Sequence, residues 1–201
     1  GVVLADDRAV GVTLTGGEEV AADAVIIATD APNAAKLTGQ RISAEGRGVT
    51  TVYLAGPERL YAGPKLILNA NTGAFVNSVA QLTNLAPDFA PAGQHLLAAT
   101  VLGVSDLSDA DLTARCLSDL GQLFPGKDLS KLRQVGIYRV RYAMLDQPPG
   151  IFERMPKNET PTLGLFLAGE FTESASLHGA MHSGEKAGAA VAAFLSGEAE
   201  D

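Results

Sequence analysis

The chain has 201 residues, 46% of them hydrophobic and 19% charged, enough apolar material to bury a sizeable core in one domain or two closely joined ones. A formal net charge of -8 and a pI near 4.8 leave no basic stripe to pair with phosphates, which disfavours nucleic acid as a partner. No apolar run approaches the roughly 20 residues that span a bilayer, and a single cysteine excludes an internal disulfide and a cysteine-rich metal site. These features fit a cytoplasmic protein without a transmembrane segment, peripheral contact with a membrane staying open.

In chain order, the sequence opens on Gly1 and passes directly into short apolar runs broken by polar turns: Val2 to Leu4, Val10 to Leu14, Val20, then Ala24 to Ala28. With Asp6-Asp7 and Gly16-Gly17 between them, this pattern predicts a β-meander ending in a buried strand. Pro32 and Asn33 can open a short helix reaching Leu37. The absence of an initiator methionine and of a signal-peptide pattern suggests a piece of something longer, an expression scar being the alternative.

From about Gly39 the character changes to longer β-prone runs, Thr50 to Ala55, Lys65 to Leu68, Ala74 to Leu82 and Gln94 to Gly103, which predict an antiparallel sheet. A helix follows, with Ser108 as N-cap, Asp109 and Asp111 in its first turn, and Leu112, Cys116, Leu117, Leu120 and Leu123 on one stripe before Pro125-Gly126. It is expected to lie across that sheet. A further strand from Leu132 to Tyr142 alternates Ile137, Arg139 and Arg141 with Tyr138, Val140 and Tyr142.

The last pair of elements carries the chemistry. Leu163 to Ala168 reads as a buried strand that ends on Gly169 and Glu170, and after a loop to Ser176 a small-residue helix runs from about Leu177 to Leu195. Ligands of open α/β sheets sit at such strand ends, where Gly169 allows close approach to the backbone and Glu170 can accept hydrogen bonds from hydroxyls. The helix beginning at Leu177 turns free N–H groups and a positive dipole end toward the same place. A tightly packed strand, loop and helix with no ligand is the other reading of this pattern.

The order Phe166-Leu167-Ala168-Gly169-Glu170-Phe171-Thr172, then Ser176-Leu177-His178-Gly179-Ala180 and Ser183-Gly184, resembles the C-terminal flavin motif of the amine oxidase superfamily. Its phytoene desaturase branch reads Ala-Gly-Asp-Tyr-Thr, a gap, Ser-Met-Glu-Gly-Ala and Ser-Gly. Ala24 to Pro32 is similar to the stretch that leads from that family's flavin domain to its substrate domain. Asn84 to Gly93 and Tyr138 to Ala143 with Pro148-Pro149-Gly150 resemble the substrate-domain half of desaturase-like members.

The resemblance implies a mixed α/β and α+β fold: residues 1–36 with 160–201 as the residual half of a Rossmann-like FAD domain, and 40–155 as an antiparallel-sheet substrate domain. It implies FAD at Gly169, Glu170, Ser176, Leu177, His178, Gly179 and Ala180, with Val2 matching the adenine-contacting backbone position. Glu170 replaces the branch's Asp, and His178 stands where the family usually carries Glu. With no cysteine after Cys116, FAD is expected to bind noncovalently. The implied activity is hydride transfer from an apolar or amine small molecule to flavin, desaturase- or isomerase-like in preference, with Tyr138 and Tyr142 lining the substrate cavity. A non-catalytic binding or scaffolding domain is the alternative.

No Gly-x-Gly-x-x-Gly follows a strand anywhere in the chain, so the diphosphate cradle of such a domain is missing. The chain alone is therefore expected to be inactive, to hold no FAD, and to self-associate through unpaired edges. The remaining polar candidates have plainer readings. His178 and His182 have the i, i+4 spacing of metal ligands but only Glu185 as a third, and no metal is expected. His95 has no assigned role, Cys116 is a small buried hydrophobe, and Arg139 and Arg141 are either a solvated edge face or anchors for an acidic substrate.

Overall fold

A computed structural model of the chain describes residues 1–197. These form two compact units, Gly1–Gly46 with the chain from Met144 onward, and Arg47–Ala143. No helix among the described residues is long and apolar enough to cross a membrane.

In the first unit, β1 (Val2–Ala5), β2 (Arg8–Thr13) and β3 (Glu19–Ala21) form an antiparallel sheet. Asp6 and Asp7 make the first turn at φ 48° and 59°, a region where short polar side chains are the best substitutes for glycine. Gly11 permits the β2–β3 approach, since a Cβ there would lie 2.3 Å from the Val20 carbonyl oxygen. The buried strand β4 (Val25–Ile27) departs from the expectation: it does not end the meander but leaves it to pair in parallel with β10 (Leu165–Leu167), Val25 opposite Leu165 and Ile27 opposite Leu167. Both strands are continuous apolar runs, the composition of parallel pairing, and this pairing buries Val25 and Ile27 of β4 while Ile26 between them stays exposed.

Helix α1 (Ala31–Thr38) starts one residue before Pro32, capped by Asp30, whose Oδ1 accepts from the Asn33 N–H at 3.0 Å. Gly39, at φ 68°, ends it.

In the second unit a five-stranded sheet has the order β6 (Leu66–Leu68), β7 (Ser78–Gln81), β8 (His95–Leu102), β5 (Gly46–Gly56), β9 (Arg133–Leu145). Helix α2 (Asp109–Leu123) is capped by Ser108, which accepts from the Asp111 N–H at 3.1 Å. It buries Leu112, Cys116 and Leu120 with Val52, Leu54, Leu97, Ala99 and Val101 of the sheet.

The run Ala74 to Leu82 is a strand only over Ser78–Gln81. Ahead of it, the Phe75 and Val76 N–H groups donate to Asp119 Oδ2 of α2 at 2.7 and 2.8 Å, so a helix carboxylate takes the place of a neighbouring strand. Arg139 is likewise not simply solvated. It donates to the Ser105 and Leu107 carbonyls at 3.0 and 2.9 Å and to Asp109 at 2.8 Å, tying the edge strand to the start of α2, whereas Arg141 is exposed.

Cys116 is fully buried, and its thiol is pushed from 9.0 up to about 12, first by desolvation and second by the nearby Asp119 charge. A raised value favours the neutral thiol in the folded state. That contribution to stability is complete below pH 9 and drains away as pH climbs toward 12. At pH 8 an aromatic disulfide reagent is expected to leave the native chain unlabelled and to react with its one thiol in denaturant. Rapid labelling of native protein would place Cys116 outside the core.

Candidate functional site

Strand β10 is fully buried, as an apolar strand between two layers should be, and it ends at Ala168, whose N–H donates to the Ile27 carbonyl at 2.9 Å. Gly169 continues in extended backbone. A 3-10 turn over Glu170–Thr172 and a loop to Ser176 then lead into α3 (Leu177–Ser196). Ser176 caps this helix by accepting from the Gly179 N–H at 2.9 Å. Gly179 is required sterically, because a Cβ there would lie 2.2 Å from the Ser174 carbonyl oxygen.

A buried polar network unannounced by the sequence pattern holds the loop to the helix. Ser183 Oγ, fully buried on α3, accepts from the Gly169 N–H at 2.9 Å and from Asn158 Nδ2 at 3.0 Å, and lies 2.6 Å from Thr172 Oγ1. Thr172 Oγ1 donates to the Gly169 carbonyl at 3.1 Å. With that hydrogen committed, the Ser183 hydroxyl is left to donate to Thr172, and each hydroxyl has one direction. Asn158 Nδ2 also donates to the Leu167 carbonyl at 2.9 Å and the Ser183 carbonyl at 3.1 Å. Asn158, Thr172 and Ser183 were not singled out for function by the sequence pattern. The motif contains Thr172 and Ser183 but gives neither a role, and Asn158 lies outside it.

Glu170 is half-buried, and its Oε1 accepts from the Leu145 N–H at 3.0 Å, which leaves the other carboxylate oxygen for a second donor. The Gln147 side chain braces the loop by accepting from the Ala175 N–H at 3.1 Å. Among the described residues no acceptor takes the N–H groups of Leu177 and His178. Leu177 and Met181 are exposed near these donors at 88% and 76%, beside the exposed rings of His178 and His182. The two free N–H groups are donors of the kind the polar edge of a flat heteroaromatic ring takes, and the Glu170 carboxylate is an acceptor of the kind a polyhydroxyl chain takes.

The structure thus brings Gly169, Glu170, Ser176, Leu177, His178, Gly179 and Ala180 into one strand–loop–helix. Val2 stands on β1 opposite Val12, and no hydrogen bond among the described residues links β1 to that loop. Tyr138 and Tyr142 belong to the second unit, where the Tyr138 ring meets Tyr53 edge-on at 5.6 Å. The His178 and His182 rings are parallel at 6.4 Å, and His182 lies 3.9 Å from Glu173 and 3.7 Å from Glu185. No group of three potential ligands placed to hold a metal occurs among the described residues. Lys186 pairs with Glu173 at 2.5 Å across the same turn.

Comparison with solved structures finds the same fold in several proteins. An oxidoreductase from Methanosarcina mazei matches at 22% identity and a TM-score of 0.68, over 92% of this chain and 48% of its own. A protein assigned as a protoporphyrinogen oxidase from Exiguobacterium sp. 255-15 matches at 17% and 0.69, over 97% and 46%. A reduced UDP-galactopyranose mutase matches at 15% and 0.68, over 100% and 47%. The chain thus spans about half the length of these structures. Comparison with curated protein sequences finds no match. A family model matches residues 2–192, nearly the whole chain, and the chain belongs to the flavin-containing amine oxidoreductases.

Proposed function

We propose that this chain is one part of an FAD-dependent oxidoreductase that takes a hydride from a small-molecule substrate, with a desaturase- or isomerase-like reaction preferred. When bound, FAD supplies the electron-accepting ring. The chain's own residues bind and orient it. Residues 1–36 and 160–201 contribute the flavin side and residues 40–155 the substrate side. Val2 is assigned to the adenine end, and Tyr138 and Tyr142 to the substrate cavity.

The observation that supports this reading is the pinned Gly169–Gly179 loop, which carries the Glu170 carboxylate and leads into two unclaimed helix N–H groups, those of Leu177 and His178. In this arrangement Glu170 holds cofactor hydroxyls through the oxygen that Leu145 does not use. The Leu177 and His178 N–H groups would hold the ring's carbonyl edge, helped by the positive end of the α3 dipole. Because no glycine-rich strand–turn–helix is present in these 201 residues, the diphosphate lacks its donors and the chain alone holds FAD weakly and is inactive.

Glu170→Ala in the full-length enzyme is expected to lower FAD affinity by roughly 10- to 100-fold, the loss of one charge-assisted hydrogen-bond acceptor. His182→Ala should leave flavin content unchanged. Glu170→Gln keeps an acceptor for the Leu145 N–H, so it separates bracing of the loop from contact with the cofactor. Equal flavin content in purified Glu170→Ala and His182→Ala enzymes would overturn the assignment.

A further inference from the structure

Gly169 opens the loop that carries Glu170, and a glycine backbone is the least restrained by its own sterics. The direction in which Glu170 leaves the loop is therefore set by what holds the two peptides beside Gly169. Both are held from outside. The Gly169 N–H donates to Ser183 Oγ at 2.9 Å, and the Gly169 carbonyl accepts from the Thr172 hydroxyl and from the Thr172 N–H, each at 3.1 Å.

The hydroxyls between them form a relay that runs one way, and Asn158 decides the way. Two partners of its side-chain amide are the Leu167 and Ser183 carbonyls, at 2.9 and 3.1 Å, which only accept, so the nitrogen and not the oxygen of the amide faces them. That nitrogen shares its two hydrogens among these carbonyls and Ser183 Oγ, 3.0 Å away. With Gly169 donating to the same oxygen, both lone pairs of Ser183 Oγ are taken by N–H donors that cannot reverse. The Ser183 hydrogen is left for Thr172 Oγ1 at 2.6 Å, and the Thr172 hydrogen for the Gly169 carbonyl. Asn158 is 7% exposed and Ser183 fully buried, so water does not compete at the head of the relay.

We propose that Asn158 and Thr172 are positioning residues for the cofactor and act through Glu170, the relay fixing the Gly169–Glu170 peptide and with it the line along which the carboxylate points. The proposal rests on the reading of Glu170 as the contact for cofactor hydroxyls and deepens it by naming what aims that contact. The Leu145 N–H, 3.0 Å from Oε1, holds one oxygen of the carboxylate. A side chain on a backbone free to turn can keep that bond while its second oxygen swings, and a swing of about 1 Å is enough to spoil a positioned contact. Neither Asn158 nor Thr172 has to touch the cofactor for this.

The test uses the full-length enzyme and reads the FAD dissociation constant and, in the flavin-free form, hydrogen exchange of the segment 168–173. Thr172→Val keeps the shape and removes the hydroxyl, Thr172→Ser keeps the hydroxyl, and Asn158→Ala removes the donor that orients the relay. Thr172→Val and Asn158→Ala are expected to raise the dissociation constant about 10-fold and to speed exchange in the segment, with Thr172→Ser within about 2-fold of the wild type on both. Adding Thr172→Val to Glu170→Ala should weaken FAD no further, because a residue that acts through the carboxylate then has nothing left to aim. If Asn158→Ala fails to fold, the Thr172 pair decides alone. Additive losses in the double variant, equal losses in Thr172→Val and Thr172→Ser, or unchanged exchange in Thr172→Val overturn the proposal. Where Glu170→Ala weakens FAD and Thr172→Val does not, the aiming role falls and the cofactor reading stands. Where Glu170→Ala itself binds FAD as the wild type does, the cofactor reading falls and the proposal with it.

Discussion

Asn158→Leu is expected to destabilise the first unit by about 3 kcal/mol, the sum of the penalties for leaving more than one buried acceptor without its donor. The side chain is 7% exposed, and its Nδ2 serves the Leu167 carbonyl at the end of β10 and the Ser183 hydroxyl on α3. Leucine matches the volume and offers nothing to either. The Ser183 hydroxyl in turn accepts from the Gly169 N–H, so strain is passed to the residue at the head of the loop. Ser183→Ala should cost less, about 1 to 2 kcal/mol, since it leaves a single N–H unsatisfied. The two substitutions should not add, because they break one network. Chemical denaturation of the two single variants and the double variant measures this. A loss below 1 kcal/mol for Asn158→Leu, or strict additivity, would show the network to be dispensable.

The contrast between the elements that periodicity reveals and those it hides has a physical basis. Helix α2 is legible in full: Ser108, two acids in the first turn and a repeating stripe are local signals, and the structure uses each of them within a few residues of chain. Strand β10 and helix α3 are legible for the same reason, and the Gly169-Glu170 ending between them stands out by composition. Asn158 is not legible. It sits in a polar loop whose residues suggest only a surface turn, and its partners lie 9 and 25 residues away. The truncated strand at Ala74 to Leu82 fails for a similar reason, since the competing acceptor, Asp119, is 43 residues distant. Nor does either strand's alternation reveal that Val25 pairs with Leu165, because parallel pairing across a long crossover leaves no mark on a local pattern. Local chemistry was readable and long-range polar satisfaction was not. The family resemblance supplied what periodicity lacked, through the order of motifs and not through any single one.

Glycines in α3 provide the sharpest separation of roles, because the same substitution is expected to act with opposite sign at neighbouring turns. Gly184 and Gly188 have open space where a Cβ would stand, so Gly184→Ala and Gly188→Ala are expected to stabilise the isolated chain by about 0.5 to 1 kcal/mol each, the helix propensity difference. Gly179 differs. Its Cβ would meet the Ser174 carbonyl oxygen at 2.2 Å and the Ser174 hydroxyl at 2.5 Å, and the first contact is with backbone, which cannot rotate away. Gly179→Ala must push the loop between Glu173 and Ser176 off the first turn of α3, straining the Ser176 cap and the Gln147 brace at Ala175. The cost in the chain is about 1 to 3 kcal/mol, the range for overpacking at a close contact. If the loop presents FAD donors as proposed, the full-length enzyme pays again, since a displacement of about 1 Å at positioned groups can cost roughly 100-fold. Denaturation midpoints of the chain and flavin content of the parent, measured on all three variants, give the two effects separately. A Gly179→Ala protein as stable as Gly184→Ala would mean that the loop yields freely, and one that is destabilised yet fully flavinated would detach the loop from the cofactor.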